Sequence, residues 1–482
     1  MGMDLVRGVV ASGLLALSLS SPATAQVSRL DANVAPTFQR VHLTLDADAP
    51  EYSGEVEISL RVAEPTTSFS FHAEGMEMNE TLLTGADGAV GVTLSETGAK
   101  GFTTATTDRE LTSGDYTLRI AFTNTFDTLA NSLYRLEVDG AGYSFTQFEA
   151  DDAREAFPCW DEPSFKIPWQ LSLTVPEEHA AVSNTPFEKE SFADGWKTVT
   201  FERTPPLPSY LIAIATGPLE FVEIPGMSIP GRVVCVKGKS HLAQLAVEVT
   251  PPILAELERY FDSPYPFKKL DLIAVPEFWA GAMENPGAIT YRETLLLLDP
   301  AKTSVSQRRS QVTVTAHELA HMWFGDLVTM SWWDDLWLNE SFATWMGNKI
   351  SERVFPEFKI EVDRARSGNY VMSSDARPSA QQIRQPITDP DQLMANVGAQ
   401  YLKGEAVLNM FERWIGEEAF RQGVLNYLKE HEWSNAQAED LWSALSAASG
   451  RDVIGALADF IERPGVPRVD VDIQLDGALT LT

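Results

Sequence analysis

His317, Glu318 and His321 stand in the order His-Glu-Leu-Ala-His. On a helix, residues four apart share a face, so both imidazoles can reach one ion. Residues 311–324, QVTVTAHELAHMWF, contain no Gly or Pro and are compatible with that helix. Imidazole nitrogens bind zinc at about 2.0–2.1 Å, and a catalytic zinc takes three protein ligands plus a water. Glu318 projects just off the shared face, where it can act as general base on that water. The same five residues also occur by chance as a polar patch on helices. A third ligand removes the ambiguity. Glu340 follows His321 by nineteen residues and is the one carboxylate in Trp337–Trp345, WLNESFATW. An unpaired carboxylate buried among apolar side chains is costly, and a metal partner removes the cost. The expected centre is one Zn2+ held by His317, His321 and Glu340. Its net charge of about +1 should bring the pKa of the bound water towards ~7.

An enzyme acting on chain ends also needs groups that read a free ammonium, and carboxylates do this best. Glu284 lies in Gly281-Ala282-Met283-Glu284-Asn285, followed by Pro286-Gly287. Alone, this stretch reads as a Gly/Pro turn with a solvated glutamate. Glu149, Asp151 and Asp152 read as a solvated acidic loop. Tyr401 reads as an ordinary buried tyrosine beside Lys403-Gly404. Cys159 has no histidine near it in sequence and reads as structural. His42, His72, His179, His241 and His431 are scattered.

Taken together these segments carry a resemblance. The His317–His321 motif with Glu340 resembles the gluzincin zinc peptidases, and residues 281–285 are similar to the exopeptidase motif of the aminopeptidase N type. TQFEADDAREAFPCWDEP (146–163), VTMSWWDDLWLNE (328–340) and YLKGEAVLNM (401–410) agree with it. The resemblance spans about residues 35–467. It implies an N-terminal β-domain followed by a thermolysin-like catalytic domain, acting on peptides with a free N-terminus. It implies that Glu284 and Glu149 hold the substrate amine, and that the backbone around Gly281, Ala282, Met283 and Asn285 contacts the peptide. Gln147 would line the first side-chain pocket. Tyr401 would donate to the negative charge that develops on the scissile carbonyl oxygen. Asp335 is a candidate for orienting a zinc-bound histidine. Ser341 departs from the family pattern, which often has Gly there. Family members usually continue into a small β-domain and a large helical domain, which are nearly absent here. Two rival readings share these features: an epoxide hydrolase like leukotriene hydrolase, and a zinc-stabilised peptide-binding protein. Loss of Glu318 or Tyr401 would have favoured the second, and both are present.

The elements that must position these residues divide the chain in two. The expected fold is multidomain α+β. From residue 38 to about 236, VHLTLDA (41–47), EVEISLRVA (55–63), YTLRIAF (116–122), WQLSLTV (169–175) and TVTFER (198–203) alternate apolar and polar. That pattern predicts an antiparallel sheet or sandwich. From about 240 the period turns helical. Leu254, Leu257, Tyr260 and Phe261 follow Pro251-Pro252 at helical spacing, LDLIAV (270–275) and AITYRETLLLL (288–298) look like strands, and 308–462 is mostly helical. The expected domains are 26–228 and 229–464, with 465–482 beginning a further β-domain whose strand is RVDVDIQ (468–474).

Residues 1–25 read as a signal peptide. Arg7 precedes the apolar run 8–20, and Ala23-Thr24-Ala25 offers cleavage before Gln26. Thirteen apolar residues are too few to span a bilayer, so the expected product is periplasmic or secreted, with no membrane span. The chain has 482 residues, with 37 Lys+Arg against 68 Asp+Glu, a net charge of −31. Such a surface repels phosphate backbones, which excludes nucleic acid as a partner, and attracts cationic ligands. Two cysteines, Cys159 and Cys235, are too few for a dense disulfide framework, and an exported chain leaves a single pairing between them open.

Overall fold

In a computed structural model the chain is described over residues 29–387, 393–467, 470–474 and 478–481. The signal-peptide reading of 1–25 lies outside the described residues. The five alternating segments all enter one eight-stranded sheet, as Val34–Thr44, Glu51–Val62, Gly114–Thr125, Trp169–Pro176 and Trp196–Phe201. Along Glu51–Val62, Tyr52, Val56, Ile58, Leu60 and Val62 are buried and the residues between them are not, as a period of two requires. Neighbouring strands run antiparallel except Val34–Thr44 and Trp169–Pro176, which pair in parallel. A four-stranded sheet joins Ala180–Ser183, Ile214–Gly217, Ala141–Gln147 and Ser132–Val138. Ala141–Gln147 is buried at nearly every position and delivers Gln147 and Glu149 to the molecule's main cleft.

A five-stranded sheet carries the second half. Its order is Leu219–Glu223, Gly231–Val236, Leu270–Val275, Ala288–Arg292 and Ala282–Met283. Leu270–Val275 is buried throughout and runs parallel to both neighbours, which explains why five of its six residues are apolar; the exception, Asp271, is paired with Arg232 and Lys269. The point between residues 228 and 229 falls in the connection between the sheet's first two strands.

Two elements differ from the sequence reading. The strand expected over 288–298 ends at Arg292, and Glu293–Leu296 forms a helical turn. Its pairing partner, Ala282–Met283, reaches only Tyr291, and Glu293, Leu295 and Leu296 are good helix formers once pairing stops. The helix expected after Pro251-Pro252 instead starts at Gln244 and runs through both prolines to Phe261. Buried Leu245, Ala246, Val249 and Ile253 extend its apolar face across them, so packing outweighs the lost backbone hydrogen bonds.

From Val305 to Ile461 the chain is largely helical. At the end, Val471–Ile473 pairs with Leu479–Leu481, and the side chains of Val471, Ile473 and Leu479 are exposed. Residues 468 and 469 of the expected strand lie outside the described residues. Among the described residues no helix is long and apolar enough to cross a membrane.

Candidate active site

The Val305–His321 helix begins with a reciprocal cap. Gln307 N donates to Ser304 Oγ at 3.2 Å, and Ser304 N donates to Gln307 Oε1 at 3.0 Å. This satisfies two otherwise orphaned donors and fixes the start of the helix that ends in His317, Glu318 and His321. The Leu336–Val354 helix packs against it at Gly347. A Cβ there would lie 2.8 Å from His317 N, so only glycine permits this approach.

That approach brings Glu340 to the two imidazoles. His317 Nε2 and His321 Nε2 are 3.0 Å apart, and Glu340 Oε2 lies 3.2 and 3.5 Å from them. Two donors each 2.0–2.1 Å from one tetrahedral ion would be about 3.3 Å apart. The three donors therefore fit a zinc ion. His321 Nδ1 donates to Asn339 Oδ1 at 2.6 Å and faces Phe324 O at 3.1 Å. His317 Nδ1 lies 3.3 Å from Thr344 Oγ1. Both rings thus have a partner on the far nitrogen, the arrangement that orients metal-binding histidines.

Around this centre lies a cleft of about 730 Å³, within the usual range for a ligand site. Gln147, Glu149, Gly281, Ala282, Glu284, Glu318 and Tyr401 line it. Oxygens of Glu149, Glu284 and Glu340 all lie within 4.8 Å of one another, and so do the donor atoms of Glu284, Glu318 and His321. No Lys or Arg is among the described lining residues. Burial and the neighbouring carboxylates Glu284 and Glu340 push Glu149 well above the usual carboxylate range. Burial does the same to Glu318. Burial also opposes ionisation of Glu340, yet the two imidazoles against it hold it low. At His321 the surrounding carboxylates outweigh burial and raise it well above the ordinary value. Burial, with His321 beside it, lowers His317. Glu149, Glu284, Glu318 and Glu340 thus gather around the two imidazoles, a setting that suits a cation.

Tyr401 enters from the Leu393–Ile415 helix. Its ring lies parallel to that of His317, with centroids 5.7 Å apart. Burial and the Glu340 carboxylate raise its phenol well above 10, so it stays protonated and can donate.

Not every candidate faces the cleft. Met283 is buried behind it, with its sulfur 3.5 Å from Gln147 Nε2. Asn285 is also buried, and its carboxamide donates to Thr290 Oγ1 at 3.3 Å. Asp335 does not orient a histidine. It binds Arg384 at 2.8 Å and accepts from Ala438 N at 3.1 Å, while burial lifts its pKa to about 6. The group that sequence reasoning passed over is Asn339, in the first turn of the Leu336–Val354 helix; the available signal was a carboxamide adjoining Glu340 within the apolar, aromatic-rich stretch Trp337–Trp345. The Ser341 departure is accommodated by packing: a Cβ on Gly404 would meet Ser341 Oγ at 1.7 Å. Cys159 and Cys235 are free and buried.

Comparison with known proteins agrees with this arrangement. Residues 35–211 match the Peptidase M1 N-terminal domain, and residues 245–460 match the Peptidase family M1 domain. The chain is 35% identical over 457 residues to Aminopeptidase M1-C of Oryza sativa subsp. japonica, covering 93% of this chain and 52% of the relative. It is 35% identical over 479 residues to Aminopeptidase 2 of Candida albicans, covering 97% and 52%. It is 41% identical over 347 residues to Probable aminopeptidase 1 of Saccharolobus solfataricus, covering 70% and 44%. The chain spans about half the length of the curated relatives it matches.

Proposed function

Because the chain belongs to peptidase family M1, we propose that it is a zinc aminopeptidase that hydrolyses the first bond of peptides with a free N-terminus. One observation carries the reading. Glu149 and Glu284 place carboxylate oxygens within 4.8 Å of Glu340, itself one of three converging zinc donors. An ammonium held by those two carboxylates sets the first carbonyl of a peptide beside the donors. A cleft built for internal bonds has no need of two carboxylates at that distance.

Zinc held by His317, His321 and Glu340 would act as a Lewis acid towards the scissile carbonyl and lower the pKa of a water. The chain's own groups do the rest. Glu318 takes the proton from the attacking water and passes it to the departing amine. The Tyr401 phenol donates to the carbonyl oxygen as charge develops there. Glu149 and Glu284 hold the ammonium and so align the scissile bond. Gln147 lines the same cleft, and on this reading it borders the pocket for the first side chain. The leader-like pattern of residues 1–25 supports export to the periplasm or beyond.

The test uses one peptide, free and N-acetylated, at high ionic strength, where long-range attraction to the −31 charge is screened. Only the free form should be cut, and only at its first bond. Comparable rates on both, or internal cleavage of the acetylated form, would refute the aminopeptidase reading and leave the metal site standing.

A further inference from the structure

Asn339 sits one residue before Glu340 in the Leu336–Val354 helix and is 1% exposed. Its carboxamide spans two sites. Oδ1 accepts from His321 Nδ1 at 2.6 Å, and Nδ2 donates to Glu284 Oε1 at 2.7 Å. A carboxamide has one accepting end and one donating end, so the two contacts are not independent. Turned over, it would set its oxygen against the Glu284 carboxylate and its NH2 against His321. The ring would then have to carry its hydrogen on Nε2, the atom that faces His317 and Glu340. Only one orientation satisfies both neighbours. It keeps the hydrogen on Nδ1, leaves the Nε2 lone pair for a metal, and fixes the rotation of the Glu284 carboxylate.

The backbone makes room for this group. Gly325 has φ +126°, and a Cβ there would come within 2.1 Å of Asn339 Oδ1. The turn that follows the His321 helix is thus shaped around the carboxamide.

We propose that Asn339 is a positioning residue that couples the metal-ligating His321 to the amine-recognising Glu284. Holding the metal and recognising a free amino terminus then share one hydrogen-bonded unit. The coupling rests on the aminopeptidase reading above but adds a link between its two halves. Acting through polarity and not through shape, it separates two nearly isosteric changes from each other.

Asn339→Asp keeps the acceptor for His321 and loses the donor to Glu284. Asn339→Leu loses both. The measurements are zinc affinity by chelator competition, KM and kcat for a free-amine peptide, and the rate ratio for free against acetylated peptide. Asn339→Asp should hold zinc within a few-fold of wild type, raise KM at least tenfold, and shrink the free-to-acetylated ratio. Asn339→Leu should also lose ~10–100-fold in zinc affinity, the scale for removing a partner of a metal-bound histidine. Unchanged KM and ratio in Asn339→Asp would overturn the coupling, leaving Asn339 as a support for His321 alone. Equal zinc loss in both variants would overturn it too, since polarity would then not matter. Wild-type cleavage of the acetylated peptide would instead refute the aminopeptidase reading, so the two failures are distinguishable.

Discussion

Gly347→Ala tests whether the contact between two helices, and not the ligand set alone, builds the metal site. In an unconstrained helix interior this change stabilises by about 1 kcal/mol. At Gly347 the added Cβ would lie 2.8 Å from His317 N, 3.0 Å from His317 Cα and 3.3 Å from the Ala316 carbonyl carbon. All three are backbone atoms, so no side chain can swing aside. Carbon contacts settle at about 3.5–4.0 Å, and the helices must part by several tenths of an ångström. Overpacking of this kind costs about 1–3 kcal/mol, which outweighs the gain in propensity. The larger effect should fall on the metal. Glu340 rides on one helix and both histidines on the other, and ligand distances tolerate about 0.2 Å. Zinc affinity should fall at least tenfold. At saturating zinc, a tenfold weaker site gives up about 1.4 kcal/mol of zinc-dependent stability. The assay is chelator competition together with thermal unfolding with and without added zinc. A variant with a raised Tm and wild-type zinc affinity would refute the reasoning.

Other outcomes follow from the same geometry. His321→Ala should lose both zinc and activity, and stoichiometric zinc retained by metal analysis would remove His321 from the ligand set. Glu318→Gln should keep zinc and lose several orders of magnitude in kcat, because the group that moves the proton is gone; near-normal turnover would reassign it. Tyr401→Phe should cost ~10²–10³-fold in kcat with little change in KM, the scale of one oxyanion donor. Asp152 carries a pH signature in stability. Burial, with Asp151 and Glu155 beside it, lifts its folded pKa from 3.8 to about 8. The folded state therefore binds the extra proton between those values, and stability contributed here falls as pH rises from 4 towards 8. Asp152→Asn should gain Tm relative to wild type as pH rises across that window; a pH-independent difference would contradict the assignment.

The parts of the site that sequence shows are those governed by local periodicity. His317 and His321 converge because helix geometry alone puts them on one face, and Glu340 stands out as the one carboxylate in the apolar stretch Trp337–Trp345. The sheet strands are legible for the same reason, since alternation is local. The parallel pairing of Val34–Thr44 with Trp169–Pro176 is not, because alternation names a face but no partner. Asp335 misleads because carboxylates are the usual partners of metal-bound imidazoles, whereas here Arg384 claims it. Asn339 is hidden because its meaning depends on Glu284, fifty-five residues earlier and on another element.

Charge explains why those distant pieces belong together. Glu149, Glu284 and Glu340 come from three separate segments, a turn, a strand end and a helix, yet their oxygens crowd within 4.8 Å with no Lys or Arg among the described lining residues. Such a cluster is unfavourable by itself: burial first, then the charges of Glu284 and Glu340, push Glu149 above the usual carboxylate range. A divalent ion at the two histidines and Glu340 would supply two positive charges, and on the proposed reading a substrate ammonium at Glu149 and Glu284 would supply a third. Three carboxylates then face three positive charges, with Glu318 left to move the proton. Each cation relieves repulsion felt by the other's ligands, so metal and free amine should favour each other's binding. A neutral acetylated terminus supplies nothing to that balance, and this would give the proposed preference for a free amine a physical cause beyond shape.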